Sequence, residues 1–147
     1  MVKFTHGNMF DSNYQVLVNP VNCSSTMGAG LAKNFAKHYP EMIKPYAQAC
    51  KSGKLLPGGI FVYNTGNQFI VNLATKDDWR NSSKYEYIQE GLYNLKNWLD
   101  NISDIKRVAI PALRMSVFGN LKFNKVKKMI EKTFKNTKHE IIVYEPN

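Results

Sequence analysis

The spacing of apolar and polar positions changes several times along the chain. Short runs rich in β-branched and aromatic residues predict strands at 2–5, 15–19, 59–64, 68–73, 107–110 and 140–144. Helical spacing appears at 30–38, where Leu31 and Phe35 lie four apart, and at about 42–52, stopped by Gly53. A longer helix is predicted over 84–99, with Ile88, Leu92, Leu95 and Leu99 as one stripe. Ser83, three residues before Glu86, predicts a capping box at its start. Phe123, Val126, Ile130 and Phe134 predict a last helix with its polar positions turned outward. Thr65, Gly66 and Asn67 separate two strands and predict a hairpin over 59–73. The order β, β, α, α, β, β, α, β, α, β predicts an α/β fold with a mixed sheet between helices.

Composition adds bounds. With 147 residues, 44% hydrophobic and 21% charged, the expectation is a single globular domain over 1–147 that builds its core without staples. No segment approaches the roughly 18 to 20 apolar residues that cross a bilayer, and the N-terminus lacks a signal-peptide core. A soluble, cytoplasmic, monomeric protein away from membranes is expected. Cys23 and Cys50 are distant in sequence and have no partner motif, so they are expected as free thiols in a reducing compartment, with no metal site. The three histidines, His6, His38 and His139, lack motif spacing; surface or turn positions are expected for them, and no Ser-His-Asp or aspartic dyad is supported.

The formal charge of +9 is unevenly spread. Between 121 and 138 there are seven lysines (122, 125, 127, 128, 132, 135 and 138) against one acid, Glu131, so two-thirds of the excess lies on one predicted helix. A solvated helix face is the plain reading; a contact for phosphates is the functional one.

Three clusters could carry chemistry. In the first, Val18-Asn19-Pro20-Val21-Asn22-Cys23 runs into Met27-Gly28-Ala29-Gly30-Leu31, so a strand ends in amides and a glycine-rich turn leads into a helix. Such a turn presents backbone N–H groups to an anion, although glycines there also permit close packing of helix on strand. It matches neither the Walker pattern nor Gly-x-Gly-x-x-Gly. The second, Asn72-Leu73-Ala74-Thr75-Lys76-Asp77-Asp78-Trp79-Arg80, places a lysine, an indole and a guanidinium on a loop after a strand; Lys76 could act as an amine nucleophile or hold a phosphate, and a surface ion-pair loop is the plain reading. Burial and Arg80 would lower the lysine's pKa, whereas Asp77 and Asp78 would raise it. The third, Ile110-Pro111-Ala112-Leu113-Arg114-Met115-Ser116-Val117-Phe118-Gly119-Asn120, again follows a strand, and a cleft between it and the glycine turn is geometrically sound.

In this order the residues resemble the macro domain family, which binds ADP-ribose, over nearly the whole chain. Gly7-Asn8-Met9-Phe10 is similar to the family's first strand-loop, Val18 to Asn22 to its Val-Asn-x-x-Asn element, and Met27-Gly28-Ala29-Gly30-Leu31-Ala32 to its first phosphate loop. Ile110-Pro111-Ala112-Leu113 and Val143-Tyr144-Glu145-Pro146 resemble later strands. The Met-Gly-x-Gly loop with Thr75-Lys76 is closest to the branch of glycohydrolases that release protein-terminal ADP-ribose or, in antitoxin-type members, ADP-ribose on DNA.

The resemblance implies a three-layer α/β/α sandwich with a cleft across the strand C-termini. By position it sets Asn8 and Met9 at the adenine, with Asn8 where many members have Asp. It sets Asn22 at the distal ribose, Met27, Gly28, Ala29, Gly30 and Leu31 around the pyrophosphate, and Asn19 and Thr75 among the ligand-binding residues. Leu113 falls at the end of the strand before the second phosphate loop, and Arg114, Ser116, Val117, Phe118 and Gly119 within that loop. Lys76 is implied as the nucleophile that attacks the distal ribose, without a metal or cofactor. The implied partners are ADP-ribose and ADP-ribosylated protein or DNA, with the basic helix over 122–138 as a candidate nucleic-acid contact.

One departure stands out. The family's second loop usually reads Gly-[Cys/Thr]-Gly-Leu, whereas 114–119 lacks those two glycines and the acid that some relatives use in releasing the lysine adduct. Ser116, Asn120 and the Arg114 side chain are the candidate substitutes. The departure leaves a non-catalytic ADP-ribose reader beside the hydrolase reading. ADP-ribose-1″-phosphate phosphatase and O-acetyl-ADP-ribose deacetylase activities remain alternatives in the same cleft, and a plain nucleic-acid-binding protein rests on charge alone.

Overall fold

The computed structural model describes residues 1–11, 13–28, 30–78, 83–102, 104, 106–112 and 121–145. Among them the strands are β1 (Val2–Thr5), β2 (Val16–Val21), β3 (Ile60–Asn64), β4 (Phe69–Ala74), β5 (Arg107–Ile110) and β6 (Glu140–Tyr144). The helices are α1 (Gly30–His38), α2 (Ile43–Lys51), α3 (Tyr85–Asp100) and α4 (Phe123–Thr133). They form one sheet in the order β1-β6-β5-β2-β4-β3. Neighbouring strands are parallel except β3 and β4, the expected hairpin, whose turn places Gly66 at φ +100°.

Alternation along the strands divides the core. Leu17, Val21, Ile70, Ala74, Ala109 and Ile142 pack with Phe35 of α1 and with Tyr46 and Ala49 of α2. Val16, Val18, Val71, Leu73, Val108, Ile110, Ile141 and Val143 pack with Ile88, Leu92, Leu95 and Leu99 of α3 and with Val126 and Ile130 of α4. The period of two thus feeds two helical layers, which is the α/β/α sandwich. Each wholly buried leucine of α3 contributes roughly 1.5 to 3 kcal/mol. Gly91 lets α3 sit close to the sheet, since a Cβ there would lie 2.5 Å from Leu73 Cδ2.

The sheet opens where β2 leaves β5. Their pairing covers only Val16 with Val108 and Leu17 with Ala109, whereas β2 pairs with β4 along its full length. Pro20 sits in this gap. The Val21 carbonyl accepts from Thr75 N–H (3.0 Å) on the β4 side, and alternate strand residues face opposite neighbours, so the proline nitrogen, lacking a hydrogen, faces the side where pairing has ended.

Three expectations are corrected. α3 starts after Lys84, not at a Ser83 cap. Ser83 is buried and its hydroxyl donates to Thr75 Oγ1 (3.3 Å), so tertiary contact overrides the local capping pattern. His139 is wholly buried rather than superficial. Its Nδ1 accepts from Lys106 N–H (3.0 Å) and its Nε2–H donates to Leu99 O (3.0 Å), which joins the α3 terminus to the approach of β5. On α4, Lys127 does not belong to the outer face: it pairs with Glu145 (3.4 Å) and lies over the Phe4 ring.

Candidate active-site cleft

The β2–β4 ladder continues past both strand ends and fixes the second cluster against the first. Thr75 N–H donates to Val21 O (3.0 Å) and Cys23 N–H to Asp77 O (2.8 Å), so Lys76 is held between two cross-strand bonds, alongside Asn22. Thr75 is buried and is tied at its far side to Ser83 and, by its carbonyl, to Lys84 N–H (3.4 Å).

Lys76 is half-buried. Loss of solvation lowers its amine pKa, and the Asp78 carboxylate partly offsets this. Asp77, expected to act likewise, is exposed and contributes its carbonyl. Arg80 lies outside the described residues.

Asn22 is buried and fully engaged. Its Nδ2 donates to Thr26 O (3.1 Å) and Thr26 Oγ1 (3.0 Å). Its Oδ1 accepts from Ser24 N–H (3.0 Å) and Ser24 Oγ (3.1 Å). The buried Tyr46 hydroxyl donates between Asn22 O (2.8 Å) and Oδ1 (2.9 Å). These bonds shape the turn, in which Ser25 takes φ +69°, a strained value for a residue with a Cβ. Two thiols adjoin. Cys50 Sγ lies 4.0 Å from Asn22 O, and Cys23 is pushed up to about 12, by burial first and then by the Cys50 and Asp77 charges.

The glycine turn is open. A Cβ on Gly28 or Gly30 would meet no described atom within 4 Å, so helix-on-strand packing does not account for either glycine. Gly30 is required by its φ of +60°; Gly28 leaves space over the turn. Met27 is buried beneath and Leu31 is partly exposed.

A cleft of about 410 Å³ adjoins Leu31, lined by Gly7, Asn8, Met9, Phe10, Asn34, His38, Pro111 and Tyr144. That volume suits a nucleoside-sized ligand. Asn8 is exposed; its Oδ1 accepts from Phe10 N–H (2.9 Å), and its Nδ2 has no hydrogen-bond partner among the described residues. The Phe10 and His38 rings stack at 4.2 Å. Sequence reasoning passed over Asn34 and His38, although Leu31, Asn34 and His38 share one helical face.

Asn19 is wholly buried; its Nδ2 donates to Asn72 Oδ1 (2.9 Å), bracing β2 on β4, while its Oδ1 has no hydrogen-bond partner among the described residues. Ala29, Leu113, Arg114, Ser116, Val117, Phe118 and Gly119 lie outside the described residues. Among the described residues no three His, Cys, Asp or Glu side chains converge on a metal position.

A cleft and a glycine turn at the opened carboxyl edge of a mixed sheet stand where α/β/α sandwiches hold their sites. The macro domain model matches residues 18–130, and the chain belongs to that family. It is 34% identical over 151 residues to a DNA ADP-ribosyl glycohydrolase of Thermus aquaticus, covering 99% of this chain and 41% of that relative. The chain spans about two-fifths of the length of the curated relatives it matches first. It superposes on the macrodomain of Thermus aquaticus DarG with a TM-score of 0.91, at 33% identity and 99% coverage of both chains. For the macrodomain of Mycobacterium tuberculosis DarG the TM-score is 0.93, at 33% identity, with 100% of this chain and 99% of that one covered.

Proposed function

We propose that this macro domain, acting as one unit over 1–147, hydrolyses the bond between ADP-ribose and a modified macromolecule, foremost DNA. Lys76 is the nucleophile in this reading. The observation that carries it is a half-buried amine of lowered pKa, held by cross-strand bonds next to Asn22 and the open Gly28–Gly30 turn. The name of the full-length Thermus relative favours DNA over protein as the carrier.

The neutral Nζ attacks C1″ of the distal ribose. The glycosidic bond breaks with its electron pair on the departing atom, which takes up the proton the amine loses. The amine adduct opens to an imine, and water adds at C1″ to free the lysine and ADP-ribose. The turn at 27–31 holds the pyrophosphate through backbone N–H groups, and the 410 Å³ cleft takes the adenosine. Exposed lysines at the start of α4 offer phosphate contacts for the nucleic acid. Free thiols at Cys23 and Cys50 fit a reducing, cytoplasmic setting. Large apolar residues exposed on separate segments (Met1, Ile43, Leu56 and Tyr93) fit a monomer. Among the described residues no helix is long and apolar enough to cross a membrane.

The non-catalytic reader remains the second reading, favoured by the unusual sequence at 114–119. Single-turnover hydrolysis of an ADP-ribosylated oligonucleotide separates them. The hydrolase reading predicts release of ADP-ribose by the wild type and loss of at least a hundredfold in Lys76→Ala. Tight ADP-ribose binding without release is the reader's result.

A further inference from the structure

We infer that the DNA strand bearing the ADP-ribose leaves the cleft across the adjoining starts of α3 and α4, on Lys84, Lys122 and Lys125, and not over the far end of the basic segment at Lys132, Lys135 and Lys138. The inference rests on the hydrolase reading and adds the path of the substrate strand.

The three lysines form one patch tied to Lys76. Lys84 N–H bonds to Thr75 O (3.4 Å), and Lys122 N–H donates to the Tyr85 hydroxyl (2.8 Å), so the start of α4 is fastened to the start of α3, and that to the Lys76 segment. Two tyrosines hold the ammonium groups: Lys125 Nζ lies 4.1 Å from the Tyr85 ring centre and Lys84 Nζ 5.4 Å from that of Tyr87. All three lysines are exposed, and none forms an ion pair among the described residues. Lys127, on the same helix, is by contrast neutralised by Glu145. Lys122 also caps, and Lys125 stands in the first turn of, a helix that has no acid there, where the helix dipole disfavours a cation. Cations kept against the local field, unneutralised, fit an anionic partner. Lys132 lies about 10 Å beyond Lys125 along α4, at 1.5 Å per residue, and Lys135 and Lys138 lie beyond its end.

The test compares two triple variants, Lys84→Gln/Lys122→Gln/Lys125→Gln and Lys132→Gln/Lys135→Gln/Lys138→Gln, which carry the same net charge. Each is titrated with an unmodified single-stranded oligonucleotide over a salt series, and assayed on an ADP-ribosylated oligonucleotide and on the free ADP-ribosylated nucleoside. The first variant is expected to lower the slope of log K against log salt by about 2, at about 0.7 per phosphate contact. It should also raise KM on the oligonucleotide about tenfold and leave the nucleoside untouched; the second should match wild type throughout. Equal losses in both variants, or no change of slope in the first, overturn the path. A wild type that binds the oligonucleotide with the expected slopes but hydrolyses neither substrate instead overturns the hydrolase reading and leaves the path standing.

Discussion

Lys76 owes its proposed reactivity to two opposed influences, burial lowering its pKa and Asp78 raising it. Only the neutral amine attacks, so kcat/KM should rise with pH and level off below the ordinary lysine range. Asp78→Asn removes the carboxylate that favours the ammonium form, so its inflection should move to lower pH; a move upward, or none, contradicts the role given to Asp78. Cys23 behaves in the opposite sense. With its thiol pushed up to about 12, it should resist iodoacetamide at pH 8 in the folded chain and react once unfolded, read by peptide mass spectrometry. Tyr46→Phe removes the hydroxyl that orients Asn22, which should cost roughly 1 to 2 kcal/mol in urea unfolding and lower kcat. Lys76 and Asn22 stood out in the sequence because each lies in a motif. Tyr46 did not, because a helical tyrosine 24 positions from its partner reads as core until the two are brought together.

At the scale of elements, the strands and helices were legible wherever one period ran unbroken. The hairpin over 59–73 followed from Thr65-Gly66-Asn67, and α1 has its expected span. Ser83 was misread for a physical reason: a polar side chain near a helix end fits a cap or a buried brace equally well in sequence, and tertiary neighbours decide. His139 is the same case at the start of β6. Replacing it with Ala should destabilise the fold by roughly 2 to 4 kcal/mol, through lost volume and two unpaired backbone groups, with little effect on ADP-ribose binding. Gly91 gives a prediction against helix propensity. Ala is ordinarily better by about 1 kcal/mol in a helix interior, yet the contact with Leu73 should make Gly91→Ala destabilising by roughly 1 to 3 kcal/mol in thermal unfolding.

For the whole molecule, the sheet sets the site. β2 parts from β5 beside Pro20 and stays paired with β4, so the same strand ends that open a crevice hold Lys76 next to Asn22. The crevice followed from the glycine turn and the order of strands. The aromatic pair of Phe10 and His38, and the fastening of α4 to α3 through Tyr85, depend on contacts between distant segments that no local pattern announces. The charge of +9, diffuse as a total, becomes a patch at one edge of the site and a remainder partly used in ion pairs. The most direct test is chemical. Wild-type chain is incubated with ADP-ribosylated DNA and borohydride, which reduces an imine to a stable amine, and its peptides are weighed. The account predicts reduced ADP-ribose on the peptide containing Lys76; hydrolysis that proceeds with that lysine unmodified, or undiminished in Lys76→Ala, would contradict it.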